Sequence, residues 1–340
     1  MITANNMIPV GFELGESNFE TQLMAALALQ TRKYNTSVSL KANVYSLAPA
    51  IIKDAVLSSG CEITQVCPVP NVIKNTRIQM NNGCKICLLT DISDGQEVIY
   101  GLDKNDPVPT AALEADYQRT QAISLSFSLL KTYWLGNKLY VAADLKNPLL
   151  LPNYTKDDGQ WKKILENTPP TVVITENAGA NAVAQKVSYD NALLYIDKMI
   201  DAQSVSLGMV MNSEKFIWST VEMFDVVQAQ RAKNELAGIR FVQIENEFGN
   251  FDAYNYRDVT VIKYEHFSNA IKDLAAPVGT VKLPNRMILT IGLPMLSFPL
   301  PGENTFKSDF NEATRLYTPT TIGTILHPEA VSGDYYVVAY

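Results

Sequence analysis

Leu207-Gly208-Met209-Val210-Met211-Asn212-Ser213 is the centre of the stretch that decides the fold, residues 188–247. Upstream, an amphipathic helix opens at Ser188, and Leu193, Leu194, Ile196, Met199 and Ile200 cover one side of it. Leu207 to Met211 is short and apolar, which suits a strand, and Asn212-Ser213 offers the side-chain oxygens that cap a helix start. A long helix is therefore expected from Ser213 to Leu236, carrying Phe216 and Trp218 and ending at Gly238. After it the chain reads mostly as strands, at 239–244, 259–264, 286–291 and 334–338. Helix, strand, helix and then strands, without an internal repeat, reads as an α+β fold.

Working outward, residues 1–16 contain Pro9 and Gly11 and lack helical period, so an extended arm lying on something else is expected. Ser17-Asn18-Phe19-Glu20 has capping-box spacing and opens a helix whose stripe is Phe19, Leu23, Ala26 and Leu27. A second helix is expected from Ala48 to Ser59, with Pro49 in its first turn and Gly60 just past its end. From Cys61 to Tyr100 the text turns β-like. Asn71–Met80 and Cys84–Leu89 flank Asn81-Asn82-Gly83, a step that tolerates positive φ and predicts a hairpin, and Asp91–Gly95 predicts a second turn into a strand at Glu97–Tyr100. A two-stranded ribbon is marginal in water and must lie against something; Ile73, Ile78 and Ile86 are its candidate contact residues. Beyond Pro107 and Pro109 the pattern predicts a short helix at 110–119, a strand over the alternating Ser124–Leu129, and a return strand over Lys138–Ala142. A Pro- and Asn-rich link at 147–153, a helix through Trp161 and Ile164, a strand at Thr171–Thr175 and an Ala/Gly/Asn loop at 176–185 complete the first half.

The composition of the 340 residues, 47% apolar and 19% charged, is that of a globular chain and not a disordered one. A net charge of −7 argues against phosphate neutralisation as the task, since non-specific nucleic-acid affinity comes from clustered Lys and Arg. No stretch reaches the roughly 18 uninterrupted apolar residues of a bilayer span, and the start lacks a basic, apolar leader, so no membrane association and no secretion are expected.

Catalytic chemistry has little to work with. The two histidines, His266 and His327, are too few for a multi-His metal site, and both read as structural, His327 in a turn before Pro328. Phosphate-cradling glycine motifs and a nucleophile elbow are missing. Carboxylates cluster at Asp91–Asp94, Asp157-Asp158 and Glu245-Asn246-Glu247; Glu245 and Glu247 share a strand face by period two, which an acid/base hydrolase would need, but solvated surface charge is the better reading. Cys61, Cys67, Cys84 and Cys87 lie in one short stretch, but only Cys84-Lys85-Ile86-Cys87 has zinc-knuckle spacing. Residues three apart on a strand face opposite ways, so the expectation is packed thiols, with neither metal nor disulfide. No cofactor and no catalytic residue is expected. Tyr and Phe are dense between Phe241 and Tyr264 and again at Tyr335, Tyr336 and Tyr340, as at subunit interfaces or in a core of aromatic cross-strand pairs.

The Val210-Met211-Asn212-Ser213 step before an aromatic-bearing helix, the N-terminal arm and the hairpin candidate together resemble the major capsid proteins of tailed double-stranded-DNA bacteriophages, whose fold is shared with encapsulins. The resemblance implies an N-terminal arm at 1–16, a helical segment of a peripheral domain at 17–60 and an extended β-hairpin loop at 61–101. It further implies peripheral domain at 102–179, an axial domain at 180–258 and closing β-rich segments at 259–340. The family places a long spine helix after the hairpin loop, where the residue pattern here predicts a short helix and a strand. The function implied is self-assembly, as hexamers and pentamers, into an icosahedral shell in the virion, put together in the host cytoplasm. Portal, scaffold or decoration proteins would be its partners, and packaged DNA would be touched only weakly. The alternatives are another virion component, such as a connector, tail or decoration protein, and a carboxylate-based hydrolase.

Overall fold

The computed structural model describes residues 19–31, 45–47, 72–160, 162–163, 172–174, 193, 196–197, 200–201, 215–233, 239–246, 249–257, 259–275, 287–291, 303–328 and 336–339. In chain order the elements are α1 (Phe19–Thr31), β1 (Tyr45–Leu47), β2 (Val72–Gly83), β3 (Ile86–Cys87), α2 (Asp94–Tyr100), α3 (Ala111–Leu135), α4 (Leu151–Tyr154), β4 (Val172–Ile174) and β5 (Lys215–Ser219). They continue with α5 (Val221–Lys233), β6 (Arg240–Asn246), β7 (Gly249–Tyr256), β8 (Val259–Lys263), α6 (Glu265–Asp273), β9 (Met287–Ile291), β10 (Thr305–Asn311), β11 (Leu316–Pro328) and β12 (Tyr336–Ala339). The expected arm at 1–16, the helix at 48–59 and the strand at 207–212 lie outside the described residues.

The long element is α3, 25 residues and so about 37 Å at the α-helical rise. Its buried positions Leu113, Ala122, Leu125, Leu129 and Tyr133 recur at helical spacing, with Ser126, Leu130 and Trp134 widening the stripe. The short helix and the strand expected at 124–129 are thus one continuous helix. Its alternating serines mislead because they bond to their own helix: Ser126 Oγ donates to the Ile123 carbonyl at 2.6 Å and Ser128 Oγ to that of Ser124 at 3.3 Å. Thr110 caps the start by accepting from the Leu113 amide.

Beneath α3 lies a sheet, five-stranded among the described residues, in which β2 pairs antiparallel with β11, β11 with β10, and β1 with the start of β2. The hairpin expected at Asn82-Gly83 is not there. Gly83 stands opposite Thr320 and Ile86 opposite Tyr317, so β2 and β3 follow β11 in one unbroken register. The ladder is interrupted opposite Pro319, which accepts from the Cys84 amide at 3.3 Å but has no N–H to return. Gly83 serves close approach and not reversal, since a Cβ there would sit 3.0 Å from Thr320 Cγ2. Gly323 does the same for the helix: a Cβ would meet Leu125 Cδ2 at 2.5 Å, so α3 packs directly on the β11 backbone.

Ser93 and Gln96 form a capping box that starts α2 where a turn and a strand were expected, and Gly101 ends it at φ 66°. The return strand expected at 138–142 is likewise replaced by a turn and a 3-10 segment, Ala142–Asp144.

The second sheet, seven-stranded among the described residues, has the order β4-β12-β9-β5-β8-β7-β6. The expected helix at 213–236 divides into β5 and α5, since Phe216, Ile217 and Trp218 are β-formers held between β8 and β9, and Thr220 accepts from the Met223 amide at the helix start. Phe224 of α5, Ile217, Tyr254 and Val261 make a core of their own with Ile196. Trp134 Nε1 donates to Tyr264 Oη at 3.1 Å, fastening α3 to the residue between β8 and α6.

Candidate functional site

The three candidate contact residues are distributed differently from expectation. Ile78 is 3% exposed, opposite Ile325 of β11 and inside the core that includes Leu125 and Leu129 of α3. Ile86 is 8% exposed in a smaller cluster with Leu88, Ile92, Leu102, Leu113 and Tyr317. Both are core residues of their own subunit, because the strands that carry them pair along β11 instead of standing free as a ribbon. Ile73 pairs with Ser46 of β1, and its side chain lies outside the described residues.

Among the described residues, the exposed large apolar side chains gather near the two ends of α3. At the N-terminal end, Val98 (83% exposed) and Ile99 (75%) project from α2, with Leu89 and Val108 also exposed. This end is tied to α3 by Thr110 Oγ1 donating to the Tyr100 carbonyl and Tyr100 Oη donating to Asp116. At the C-terminal end, Leu139 (76%) and Leu149 (86%) are exposed together with Val141. That segment folds back on the helix terminus: the Asn137 amide donates to the Tyr154 carbonyl and the Gly159 amide to that of Gly136, both at 2.7 Å.

Between this segment and the sheet sits a buried polar cluster that the sequence reading missed. His327 is in β11, not in a turn, and is fully buried. Its Nδ1 donates to Asp157 Oδ2 at 2.8 Å, and Gln160 Nε2 donates to its Nε2 at 2.8 Å, an arrangement that fits the neutral ring. Lys163 Nζ lies 2.9 Å from Asp157 Oδ2 and 3.0 Å from His327 Nδ1, and Lys138 reaches the other Asp157 oxygen at 2.7 Å. Burial, reinforced by the Lys163 charge and opposed by the bond to Asp157, pulls the His327 pKa down to about 4. Burial alone would raise that of Asp157, but His327, Lys138 and Lys163 together hold it well below the usual carboxylate range. Burial lowers Lys163, and Asp157 opposes that shift. The only hint in the sequence was Asp157-Asp158 close to Lys162-Lys163.

Its bonds knit Lys138, Asp157, Gln160 and Lys163 to β11 and so hold that segment against the sheet. Among the described residues no group of three His, Cys, Asp or Glu is placed to hold a metal ion. Cys84 and Cys87 are free thiols; burial raises the Cys84 pKa, and Gln121 Nε2 lies 3.7 Å from its sulfur. Cys61 and Cys67, the Glu245/Glu247 pairing and the His266 side chain fall outside what is described. No helix among the described residues is long and apolar enough to cross a membrane.

No protein-family model and no curated protein matches the sequence. Solved structures do match by fold. A chain of the satellite phage P4 procapsid, solved with its size determination (Sid) protein, aligns with a TM-score of 0.51 at 9% identity, over 97% of this chain and 93% of that one. A chain from Mycobacterium phage Ogopogo aligns at 0.46 and 11% identity, over 87% and 85%. One from the holo-SrpI encapsulin complex of Synechococcus elongatus PCC 7942 aligns at 0.41 and 10%, over 80% and 76%. With α3 restored to its full length, the one departure from the family layout disappears, and the chain has the capsid fold of tailed bacteriophages.

Proposed function

We propose that this chain is the structural subunit of a self-assembling icosahedral shell that encloses a phage genome, a virion component and not an enzyme. The observation that supports this best is the alignment of nearly the whole chain, 97%, with a procapsid chain, in a fold organised around a 25-residue helix lying on a long sheet. In this reading α3 and the five-stranded sheet form the peripheral domain, the seven-stranded sheet with α5 belongs to the axial domain, and residues 1–16 reach a neighbouring subunit. Hexamers and pentamers are the units, portal, scaffold or decoration proteins the further partners, and the host cytoplasm the place of assembly. Net charge of −7 suits a wall that does not retain packaged DNA.

The test is the size and symmetry of the purified chain by analytical ultracentrifugation and electron microscopy. Closed shells, or capsomers that close on addition of a scaffold, are expected. A dodecameric ring would point to a connector, and a small oligomer that never exceeds a few subunits under any assembly condition would overturn the proposal.

A further inference from the structure

The two exposed apolar patches lie near opposite ends of one 25-residue helix, itself about 37 Å long by the α-helical rise. Their charges are opposite. Around Val98 and Ile99, residues 89–108 hold five carboxylates (Asp91, Asp94, Glu97, Asp103 and Asp106) against Lys104, which pairs with Asp94 at 3.2 Å, and Arg315 reaches in to pair with Asp106, so the end stays acidic. Around Leu139 and Leu149, residues 138–156 hold Lys138, Lys146 and Lys156 against the single Asp144. Lys138, itself exposed, is neutralised by its ion pair with the buried Asp157, so Lys146 and Lys156, both exposed, give that patch its remaining charge. Large apolar side chains more than three-quarters exposed are costly on an isolated subunit, and patches of this kind mark contact surfaces.

Resting on the shell reading above, we infer that the occupant of each patch is the opposite patch of a second copy of this chain. The acidic end bearing Val98 and Ile99 packs against the basic end bearing Leu139 and Leu149, with two α3 helices lying side by side and antiparallel about a twofold axis. Like ends would bring two acidic or two basic surfaces together, whereas unlike ends bury apolar atoms and pair charge in the same contact. The twofold arrangement makes both contacts at once. Each patch is small beside the roughly 800 Å² per partner of a stable complex, which suits one of many moderate contacts that hold only in an assembled lattice.

The test mixes two singly substituted chains, Ile99→Cys and Leu149→Cys, under assembly conditions with mild oxidant, and maps disulfide-linked peptides by mass spectrometry. A 99–149 link in particles from the mixture, and neither a 99–99 nor a 149–149 link from either chain alone, is the expected result. Charge reversal gives a second measurement. Glu97→Lys or Lys146→Glu alone should reduce particle yield at least tenfold with the subunit's melting temperature unchanged, and the double reversal should restore yield to within threefold of the original. Particles that form without a 99–149 link, or with 99–99 links, overturn the pairing and leave the shell reading standing. Failure of the double reversal to restore yield overturns it equally, and failure of the unsubstituted chain to form particles at all sinks both readings.

Discussion

Acidification should weaken this subunit through one identifiable group. His327 has an ordinary pKa of 6.5 and is held at about 4 by its burial, with Lys163 adding to the depression and Asp157 opposing it. A base whose folded pKa lies below its unfolded one takes up its proton first in the unfolded chain. Its contribution to stability is therefore complete above about pH 6.5 and is lost as pH falls towards 4. At about 1.4 kcal/mol per unit, the interval from 6.5 to about 4 corresponds to roughly 3 kcal/mol lost between pH 7 and pH 4. Asp157, whose folded pKa is also depressed, acts in the same direction further into acid. The assay is urea unfolding of the purified chain at pH 7, 5.5 and 4, for the natural sequence and for His327→Gln, which keeps a donor towards Asp157 but does not titrate. Other carboxylates titrate alike in both chains, so the difference between the two pH slopes isolates His327. The natural chain should lose about 3 kcal/mol more than the variant across the window. Parallel slopes, or an NMR titration placing the His327 midpoint at or above 6.5, would refute the reasoning.

Further outcomes follow from the packing. Ile78→Asp puts a carboxylate in the core opposite Ile325; loss of the buried side chain alone costs 2–5 kcal/mol, and the unpaired charge adds to it, so circular dichroism should show a subunit largely unfolded at 37 °C. Gly323→Val forces Leu125 away from the sheet and should cost about 1–3 kcal/mol, read as a lowered urea midpoint. Trp134→Phe removes the donor to Tyr264 and should cost about 1–3 kcal/mol in the same assay. Deleting residues 1–16 should abolish particle formation in electron micrographs while the thermal melt of the subunit stays within about 2 °C, because on the proposed reading the arm lies on a neighbouring subunit and changes away from a chain's own core contribute little to its stability.

Much of the fold could be read from the sequence because its signals were local. The stripe of α1 and the apolar strands β4, β6, β8, β9 and β12 appear where period and propensity put them. What went unread depended on partners distant in sequence. Asn82-Gly83 has the composition of a turn, yet β11 pairs with the chain in one register on both sides of it and Asn82 Nδ2 donates to Gln121 Oε1 at 2.6 Å, so the strand runs on. β11 itself went unrecognised because Pro319, Gly323 and Pro328 each argue against a central strand. The chain tolerates Pro319 by breaking the neighbouring ladder at Cys84 and Lys85, and needs Gly323 to admit α3. As for the candidate surfaces, alternation picked out Ile78 and Ile86 as apolar but could not say which body buries them. Val98 and Ile99 were hidden by the assignment of α2 to a strand, and the His327 cluster by 170 residues of chain between its histidine and its aspartate.

The pairing of β2 with β11 also sets a clock on synthesis. Asn82 and Thr321, neighbours across that ladder, are 239 residues apart. At a ribosomal rate of roughly 5–20 residues per second, about 10–50 s pass between emergence of the first strand and arrival of its partner. From their own synthesis until β11 arrives, Leu125 and Leu129 have no β11 to cover them. Closing so distant a contact is intrinsically slow. A truncated product never receives the strand on which α3 rests, so it cannot present the finished ends of that helix to another subunit. Under the proposed shell reading, completion of translation thereby becomes a checkpoint that partial chains fail.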